Sequence, residues 1–325
     1  MIPIPILKYV LKFFDGIDSV LAKSLERKKP KNEEGITSDL CSLLDNQKPK
    51  HFWLSYKKED LRNDIKKKYP DGLEITYNLE TNEYNKSYEG AITQSDLGFI
   101  IKYDNYYNHE ESWTEFWLFQ AKVLKTKNLN PIQYGLRSNF SSTSTTQLDK
   151  INLLINILPF NFIKYMLYCP KLKSSTISSS ARDKLTLFRD LSITKEIFDG
   201  NWSAKLYKNI MDENSELLNG GVFITPTNES PKNLSEIYKN YFKLNNLFSW
   251  FIVSRFNLKN TAPNRIYTNA EDIKIDESSM ESIAYGIVKG KEKAIKILEK
   301  KLGLKNTKYT IYPKYTLEIT LRVGG

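Results

Sequence analysis

The chain has 325 residues, of which 40% are hydrophobic and 13% aromatic, enough to bury a sizeable core in one large domain or two moderate ones. Its 48 Lys and Arg outnumber its 38 Asp and Glu, and the formal charge of +10 favours polyanionic partners such as nucleic acid. The two cysteines, Cys41 and Cys169, stand far apart. This spacing suggests neither a disulfide framework nor a zinc knuckle, and it fits the reducing cytoplasm.

The N-terminal segment is apolar but too short to cross a membrane. Residues Ile2 to Phe14 are interrupted by Lys8 and Lys12, whereas a spanning helix needs about 20 apolar residues. We therefore expect neither a membrane span nor a signal peptide. Apolar side chains recur at helical spacing from Pro5 to Leu25, which predicts an amphipathic helix that either packs on the body of the protein or docks a partner.

A second helix is predicted where Ile36, Leu40 and Leu43 recur at helical spacing. Its first turn carries Glu33 and Glu34, which the positive end of the helix dipole favours.

The centre of the chain alternates between apolar runs typical of strands and one amphipathic stretch typical of a helix. A polar connection, Asp104 to Glu111, separates two of these runs as in a hairpin. The predicted strands are Leu73–Leu79, Ser95–Tyr103, Trp113–Val123 and Phe162–Cys169, and the predicted helix is Gln147–Leu158. This order indicates an α/β fold with a mixed central sheet flanked by helices.

The second half of the chain has weaker patterns. Gly221–Thr225 and Phe248–Val253 have the composition of strands, Ser282–Lys301 has the spacing of a helix, and Tyr309–Val323 resembles a closing hairpin. We expect three regions: an N-terminal helix at 1–30, a core at 31–192, and a C-terminal α+β extension at 193–325 that completes the core or recognises substrate.

We single out the strand Trp113–Val123 because it contains two of the candidate site residues. Alternation along the strand places Gln120 and Lys122 side by side on one face. If the two predicted strands pair as a hairpin, Asp96 comes near the Gln120 end of its partner. Oxygen ligands for a divalent metal beside an ammonium group are what metal-dependent phosphodiester hydrolysis requires. The alternative is structural: a solubilising lysine, a satisfied amide and a turn aspartate.

These residues resemble the active site of the PD-(D/E)XK (restriction-endonuclease-like) nuclease superfamily. That site combines an acid at a helix N-terminus, an Asp on one strand and an acid-x-Lys on the next, the positions occupied here by Glu34, Asp96 and Gln120-Ala121-Lys122. Gln120 departs from the acid of this pattern, as in the Mrr-like branch, whose pattern is Asp followed by Gln-x-Lys.

The run Glu33 to Cys169 is also similar to an uncharacterised bacterial family. That family has a Glu-Glu-x-Ile-Thr start, a Gln-Ala-Lys core and a later Gln-Leu/Ile-Asp helix, which is Gln147-Leu148-Asp149 here. The two resemblances together cover less than half of the chain.

The resemblance implies a role for each site residue. Asp96 would be the principal ligand of Mg²⁺ or Mn²⁺, Gln120 a neutral ligand through its side-chain carbonyl, and Glu34 a third ligand, with Glu33 as the alternative. Lys122 would orient or activate the attacking water and offset charge on the transition state. The implied activity is endonucleolytic hydrolysis of DNA in bacterial defence, and Gln147 is a further candidate for the site.

Two other functions stay open from the sequence. One is a nucleic-acid-binding or protein-binding subunit that keeps the fold without catalysis, since a site with one carboxylate fewer holds Mg²⁺ less firmly. The other is a nuclease directed at RNA.

Two kinds of segment near the site residues have their own alternatives. The Ser/Thr runs Ser141–Thr146 and Ser174–Ser180 either hydrogen-bond a phosphate backbone or form flexible loops. The aromatic side chains around the hairpin either stack on splayed bases or belong to the core or an interface. They are Tyr103, Tyr106, Tyr107 and Trp113.

Overall fold

One mixed β-sheet with helices on both faces organises the chain. The computed structural model describes residues 4–27, 29–44, 54–70, 73–81, 96–126, 128–129, 132–141, 145–158, 162–173, 217–218, 220–228, 230–239, 246–256, 264–267, 273–301, 313 and 315–324. The helices are α1 (Ile4–Leu25), α2 (Glu33–Leu44), α3 (Lys58–Lys68), α4 (Thr145–Ile157), α5 (Leu234–Lys239), α6 (Phe248–Arg255), α7 (Met280–Val288) and α8 (Glu292–Lys301). The strands are β1 (Leu73–Thr81), β2 (Leu97–Asn105), β3 (Trp113–Val123), β4 (Asn128–Leu129), β5 (Ile132–Gln133), β6 (Ile163–Cys169), β7 (Leu172–Lys173), β8 (Leu217–Leu218), β9 (Gly221–Pro226), β10 (Asn246–Leu247), β11 (Arg265–Ile266) and β12 (Tyr315–Val323).

The main sheet has the strand order β1-β12-β2-β3-β6-β9-β10, and β11 pairs with β3. β2 and β3 form the predicted antiparallel hairpin, and β3 and β6 run parallel on either side of α4 in sequence. This mixed sheet flanked by helices confirms the predicted fold class.

Both faces of β3 are buried, because helices cover the sheet on each side. On one face the ring of Trp117 lies 5.0 Å from that of Phe251 on α6, between centroids. On the other face the ring of Phe116 lies 5.9 Å from that of Tyr285 on α7. The strand therefore has the continuous apolar sequence of a central strand instead of a strict alternation.

The N-terminal helix packs on the body of the protein, which agrees with one of the two alternatives that its sequence left open. Its apolar stripe, including Ile6, Val10 and Ile17, is buried, and the ring of Phe14 contacts that of Phe248 on α6 at 5.7 Å. No helix in the described part of the chain has the length and apolar character needed to cross a bilayer. Both cysteines are buried free thiols, so the prediction of no disulfide is confirmed.

The prediction of a strand at Phe248–Val253 is wrong, because this run forms α6. Its side chains from Phe248 to Val253 are all buried, so the sequence is apolar on every side. A fully apolar run of this length carries no periodicity that separates a strand from a buried helix.

The predicted helix Ser282–Lys301 is two helices, α7 and α8. Gly290 has φ 72°, and its amide N–H donates to the Ile287 carbonyl at 3.1 Å. The amide of Lys291 donates to the Gly286 carbonyl at 2.7 Å. This pair of hydrogen bonds is the Schellman arrangement that ends a helix at a left-handed residue, a conformation that glycine adopts without strain.

The predicted closing hairpin at Tyr309–Val323 is also wrong where the structure describes it. Residues 315–323 form the single strand β12, which lies between β1 and β2. β12 runs antiparallel to β1 and parallel to β2. Strands from the region 193–325, namely β9 to β12, therefore share one sheet with β2, β3 and β6.

A buried carboxylate, Asp18 on α1, joins three elements on one side of the sheet. Its Oδ1 accepts a hydrogen bond from the Val222 amide at 2.9 Å, and its Oδ2 accepts one from the Ser249 amide at 3.1 Å. The first donor lies on β9 and the second in the first turn of α6. Burial raises the pKa of Asp18 to about 8, although the two hydrogen bonds favour a lower pKa.

We expect the contribution of Asp18 to stability to fall as pH rises. Its carboxyl binds a proton up to about pH 8 when folded and only up to about pH 3.8 when unfolded, so its stabilisation is complete below the lower value and declines across this window. Asp18→Asn keeps one acceptor for two amide donors and should cost about 1–3 kcal/mol at low pH. In urea titrations from pH 4 to pH 8, the stability difference between the wild type and this variant should shrink steadily. A constant difference would contradict the assignment.

Candidate active site

The candidate site lies where β3 extends past the end of β2. The two strands pair as far as Phe119, whose carbonyl accepts a hydrogen bond from the Asp96 amide at 2.9 Å. Farther along β3, Leu124 bridges to Phe140 of a following loop. Between these two pairings, no described strand borders residues 120–122 on the β2 side. The sheet therefore has a gap at this edge of β3.

The Asp96 carboxylate fills the first part of this gap. Its Oδ2 accepts hydrogen bonds from the Ala121 backbone amide at 2.8 Å and from Gln120 Nε2 at 2.7 Å. The side chain replaces a strand partner for β3, and Asp96 itself is only half-buried. The structure thus brings Asp96 and Gln120 together, as the predicted hairpin register implies.

The Glu33 carboxylate fills the next part of the gap. Its Oε1 accepts a hydrogen bond from the Val123 backbone amide at 3.2 Å and a short one from the Ser141 hydroxyl. Glu33 is the first residue of α2 and is half-buried. The helix N-terminus therefore presents an acid to the same edge of β3 that Asp96 occupies.

Glu33 is an acid of α2 that has a hydrogen bond to β3 in the structure. One residue along a helix corresponds to a rotation of about 100°, so Glu33 and Glu34 leave α2 in different directions. Glu34 was the ligand implied by the resemblance and Glu33 the alternative. We place Glu33 at the site on the strength of its bonds to Val123 and Ser141.

The two carboxylates are close neighbours along one edge. Residues 121 and 123 point their amide N–H groups to the same side of the strand, and two residues of a strand span about 6–7 Å. Asp96 binds the first amide and Glu33 the second. The bonded oxygens of Asp96 and Glu33 therefore lie on either side of Lys122 along this edge of β3.

Gln120 offers a further oxygen to this site. Gln120 is 5% exposed, and its Oε1 is buried without a hydrogen-bond partner, while its Nε2 is held by Asp96. A buried acceptor without a donor costs free energy, and a hard cation such as Mg²⁺ binds oxygen ligands of this kind. The described residues contain no group of three His, Cys, Asp or Glu side chains arranged to hold a metal. Of the described side chains, Asp96, Glu33 and the Gln120 amide are the oxygen groups here that could hold Mg²⁺.

Lys122 lies on the same face of β3 as Gln120 and is 5% exposed. Its backbone lies between Ala121 and Val123, whose amides bind the two carboxylates. Lysine is rarely buried unless its charge is compensated. A lysine that is buried in this way is unlike the exposed strand-end lysine of the structural alternative.

The geometry of this site is the basis for its chemistry. No family model, curated protein or solved structure matches the chain. The arrangement of Asp96, Glu33, Gln120 and Lys122 therefore carries the functional argument.

Three further side chains support the site. The hydroxyls of Thr37 and Tyr168 hydrogen-bond each other at 2.9 Å, and the Thr37 hydroxyl also donates to the Glu33 carbonyl. Burial raises the pKa of Tyr168 well above its usual value, and the charges of Asp96 and Glu33 add to the shift. The third is Ser141, which donates to Glu33 and lies in the Ser/Thr run that the sequence offers for phosphate contacts. Thr37 follows Glu33 by one helical turn, which is the signal that marks it.

The aromatic residues of the β2–β3 hairpin do not belong to this site. Tyr103 and Trp113 are buried and stacked with 5.9 Å between ring centroids. Tyr106 and Tyr107 are exposed, but they follow β2 at the end opposite to Asp96, about 30 Å away at the rise of a strand. Tyr103 and Trp113 therefore belong to the core, and base stacking by Tyr106 and Tyr107 stays a prediction.

Two other predicted contributors fall outside what the structure describes. Gln147 belongs to α4, but its side chain is not among the described ones. The run Ser174–Ser180 lies outside the described residues. Both stay predictions.

Proposed function

We propose that this protein is a metal-dependent endonuclease that hydrolyses phosphodiester bonds of DNA, with a role in bacterial defence against foreign DNA. The observation that carries the proposal is the gap beside β3, which two carboxylates border, together with a buried amide oxygen without a partner and a buried lysine on the same strand. The role in defence derives from the sequence resemblance alone.

Each side chain has a definite task in this chemistry. Bound Mg²⁺ or Mn²⁺ supplies a Lewis acid that polarises the phosphate and activates water. Asp96 and Glu33 would hold the cation with anionic oxygens, and Gln120 would add its Oε1. The Lys122 ammonium donates hydrogen bonds to the attacking water or to a phosphate oxygen, and its charge stabilises the transition state.

The surroundings of the site support a charged substrate. Asp96 and Glu33 are only half-buried, so one side of the carboxylate pair faces solvent and can admit a phosphate. The net charge of +10 attracts nucleic acid to the protein as a whole.

We expect purified protein to cleave plasmid DNA in Mg²⁺ or Mn²⁺, and to stop when EDTA removes the metal. Lys122→Met keeps a long apolar side chain without the ammonium, so it should lower the cleavage rate by about 10²–10³-fold, the usual effect of removing one transition-state donor. Initial rates of nicking, read on agarose gels, measure both effects.

Lys66→Met is the matched control, because Lys66 is an exposed lysine of α3 that the proposal does not use. Its rate should equal that of the wild type. Equal cleavage by the Lys122→Met protein would contradict the proposal and indicate a contaminating nuclease. DNA binding without metal-dependent cleavage would support the non-catalytic subunit instead, and cleavage of structured RNA alone would change the substrate.

A further inference from the structure

A short three-segment ribbon continues the sheet edge beyond the site. Its first segment is 123–125, which begins at the last residue of β3, its second is the loop 136–141, and its third is the stretch 232–235. Leu124 bridges to Phe140, Asn139 bridges to Asn233, and the Phe140 amide donates to the Lys232 carbonyl at 3.0 Å. We call these three segments the basic ribbon.

Each segment of the basic ribbon carries an exposed cation: Lys125, Arg137 and Lys232. Within the described part of the chain, none of the three forms an ion pair. By contrast, Lys296 and Lys300 of the basic helix α8 pair with acids at 2.6 and 2.9 Å. The cations of the ribbon are therefore available to an external anion.

Hydrogen bonds to the surroundings fix the backbone of the ribbon, which carries the three cations. Arg137 lies in a turn closed by a hydrogen bond from the Ser138 amide to the Gly135 carbonyl at 2.8 Å. In the same loop, the Tyr134 hydroxyl donates to the Leu25 carbonyl at the end of α1, at 2.9 Å. Exposed lysine and arginine on a fixed backbone lose less conformational entropy on binding than the same residues on a mobile loop.

The basic ribbon lies next to the candidate site along the same strand edge. Val123 belongs to the ribbon and also donates to Glu33. Lys125 comes three residues after Lys122, about 10 Å along the strand. Phosphates recur about every 3.4 Å along the axis for each strand of a DNA duplex. A backbone that runs along this edge of the sheet from a scissile phosphate at the carboxylates would reach the ribbon within a few nucleotides.

We propose that the basic ribbon binds the phosphate backbone of duplex DNA and directs it to the carboxylates. This inference depends on the proposed function for its substrate, but its contacts are to phosphates and not to the reacting atoms. Such contacts position a duplex without reading its sequence.

The test compares two triple variants of equal charge. One is Lys125→Gln/Arg137→Gln/Lys232→Gln. The other replaces three exposed lysines at the end of α3 by Gln: Lys66, Lys67 and Lys68. Those lysines lie shortly before β1, whose first residue Leu73 pairs with Val323 at the level of Asn105, the end of β2 opposite to Asp96.

Binding of a fluorescent DNA duplex is measured by anisotropy in EDTA, at several salt concentrations. Loss of three phosphate contacts should reduce the slope of log affinity against log salt by about 2.7 and weaken binding at least about tenfold at moderate salt. The α3 variant should bind nearly as tightly as the wild type. Thermal melts check that both variants are folded.

The outcomes separate this inference from the proposed function. Unchanged binding by the ribbon variant, or equal losses in both variants, would overturn the inference even if the wild type cleaves DNA. Selective loss of binding in the ribbon variant would support the inference even if the wild type cleaves nothing, in which case only the proposed function fails.

Discussion

Exchange of a site carboxylate for an amide is expected to abolish cleavage while leaving the protein folded. Asp96→Asn retains an oxygen that can accept the bonds of Gln120 and Ala121, but it removes the negative charge that holds a divalent cation. Cleavage should fall by about a thousandfold or more. Glu33→Gln should show a loss of the same kind, and Glu34→Gln a smaller one. Initial rates at saturating Mg²⁺ measure the series, with melting temperatures as the check on folding.

Asp104→Asn is the matched control, because Asp104 lies on the same strand at the opposite end. It pairs at 2.9 Å with Arg322, whose side chain is 46% exposed, so the exchange should cost little stability and no activity. Wild-type cleavage by a folded Asp96→Asn protein would remove Asp96 from the mechanism. A larger loss at Glu34 than at Glu33 would reverse the choice between these two acids.

The largest expected loss of stability follows from breaking a buried ion pair on β3. Glu115 is fully buried and accepts a hydrogen bond from Arg265 Nε at 2.5 Å. Burial raises the pKa of Glu115, and the charges of Arg255 and Arg265 oppose the shift. Glu115→Ala leaves the Arg265 guanidinium buried without its carboxylate, which should lower the free energy of unfolding by about 3–5 kcal/mol. Urea unfolding followed by tryptophan fluorescence measures this change.

A double variant tests whether the unpaired charge is the cause. Arg265 also lies over the Trp113 ring, with 4.1 Å between its Cζ and the ring centroid. Glu115→Leu/Arg265→Met removes both charges and keeps an apolar side chain on that ring. This protein should be more stable than Glu115→Ala, because replacing both partners costs less than orphaning one. A double variant that is less stable than the single one would disprove this cause.

The sequence predicted the central part of the site because local patterns determine it. The polar connection between two apolar runs fixes a hairpin, and the hairpin register places Asp96 opposite the Gln120 end of β3. The alternation of β3 then puts Gln120 and Lys122 on one face. These steps use only neighbouring residues and the geometry of a strand pair.

The rest depends on contacts that local patterns do not contain. Glu33 and Glu34 are adjacent in sequence, and the choice between them follows from how α2 docks beside Val123 and Ser141. The helix α6 is stabilised by partners that are distant in sequence. One of them is the carboxylate of Asp18 on α1, which accepts a hydrogen bond from an amide in the first turn of α6. Only the end of α7 had a usable local signal, the glycine at position 290.

The placement of β12 has a consequence for how the chain folds as it leaves the ribosome. Leu73 at the start of β1 pairs with Val323. The sheet neighbour of β1 is therefore complete only after residue 323 has been synthesised. In the meantime the edge of β1 is exposed to other unpaired strands, which promotes aggregation and favours capture by chaperones. Any product that stops before residue 315 would lack β12, and β2, which leads from the Asp96 end of the site, would then lose its parallel neighbour.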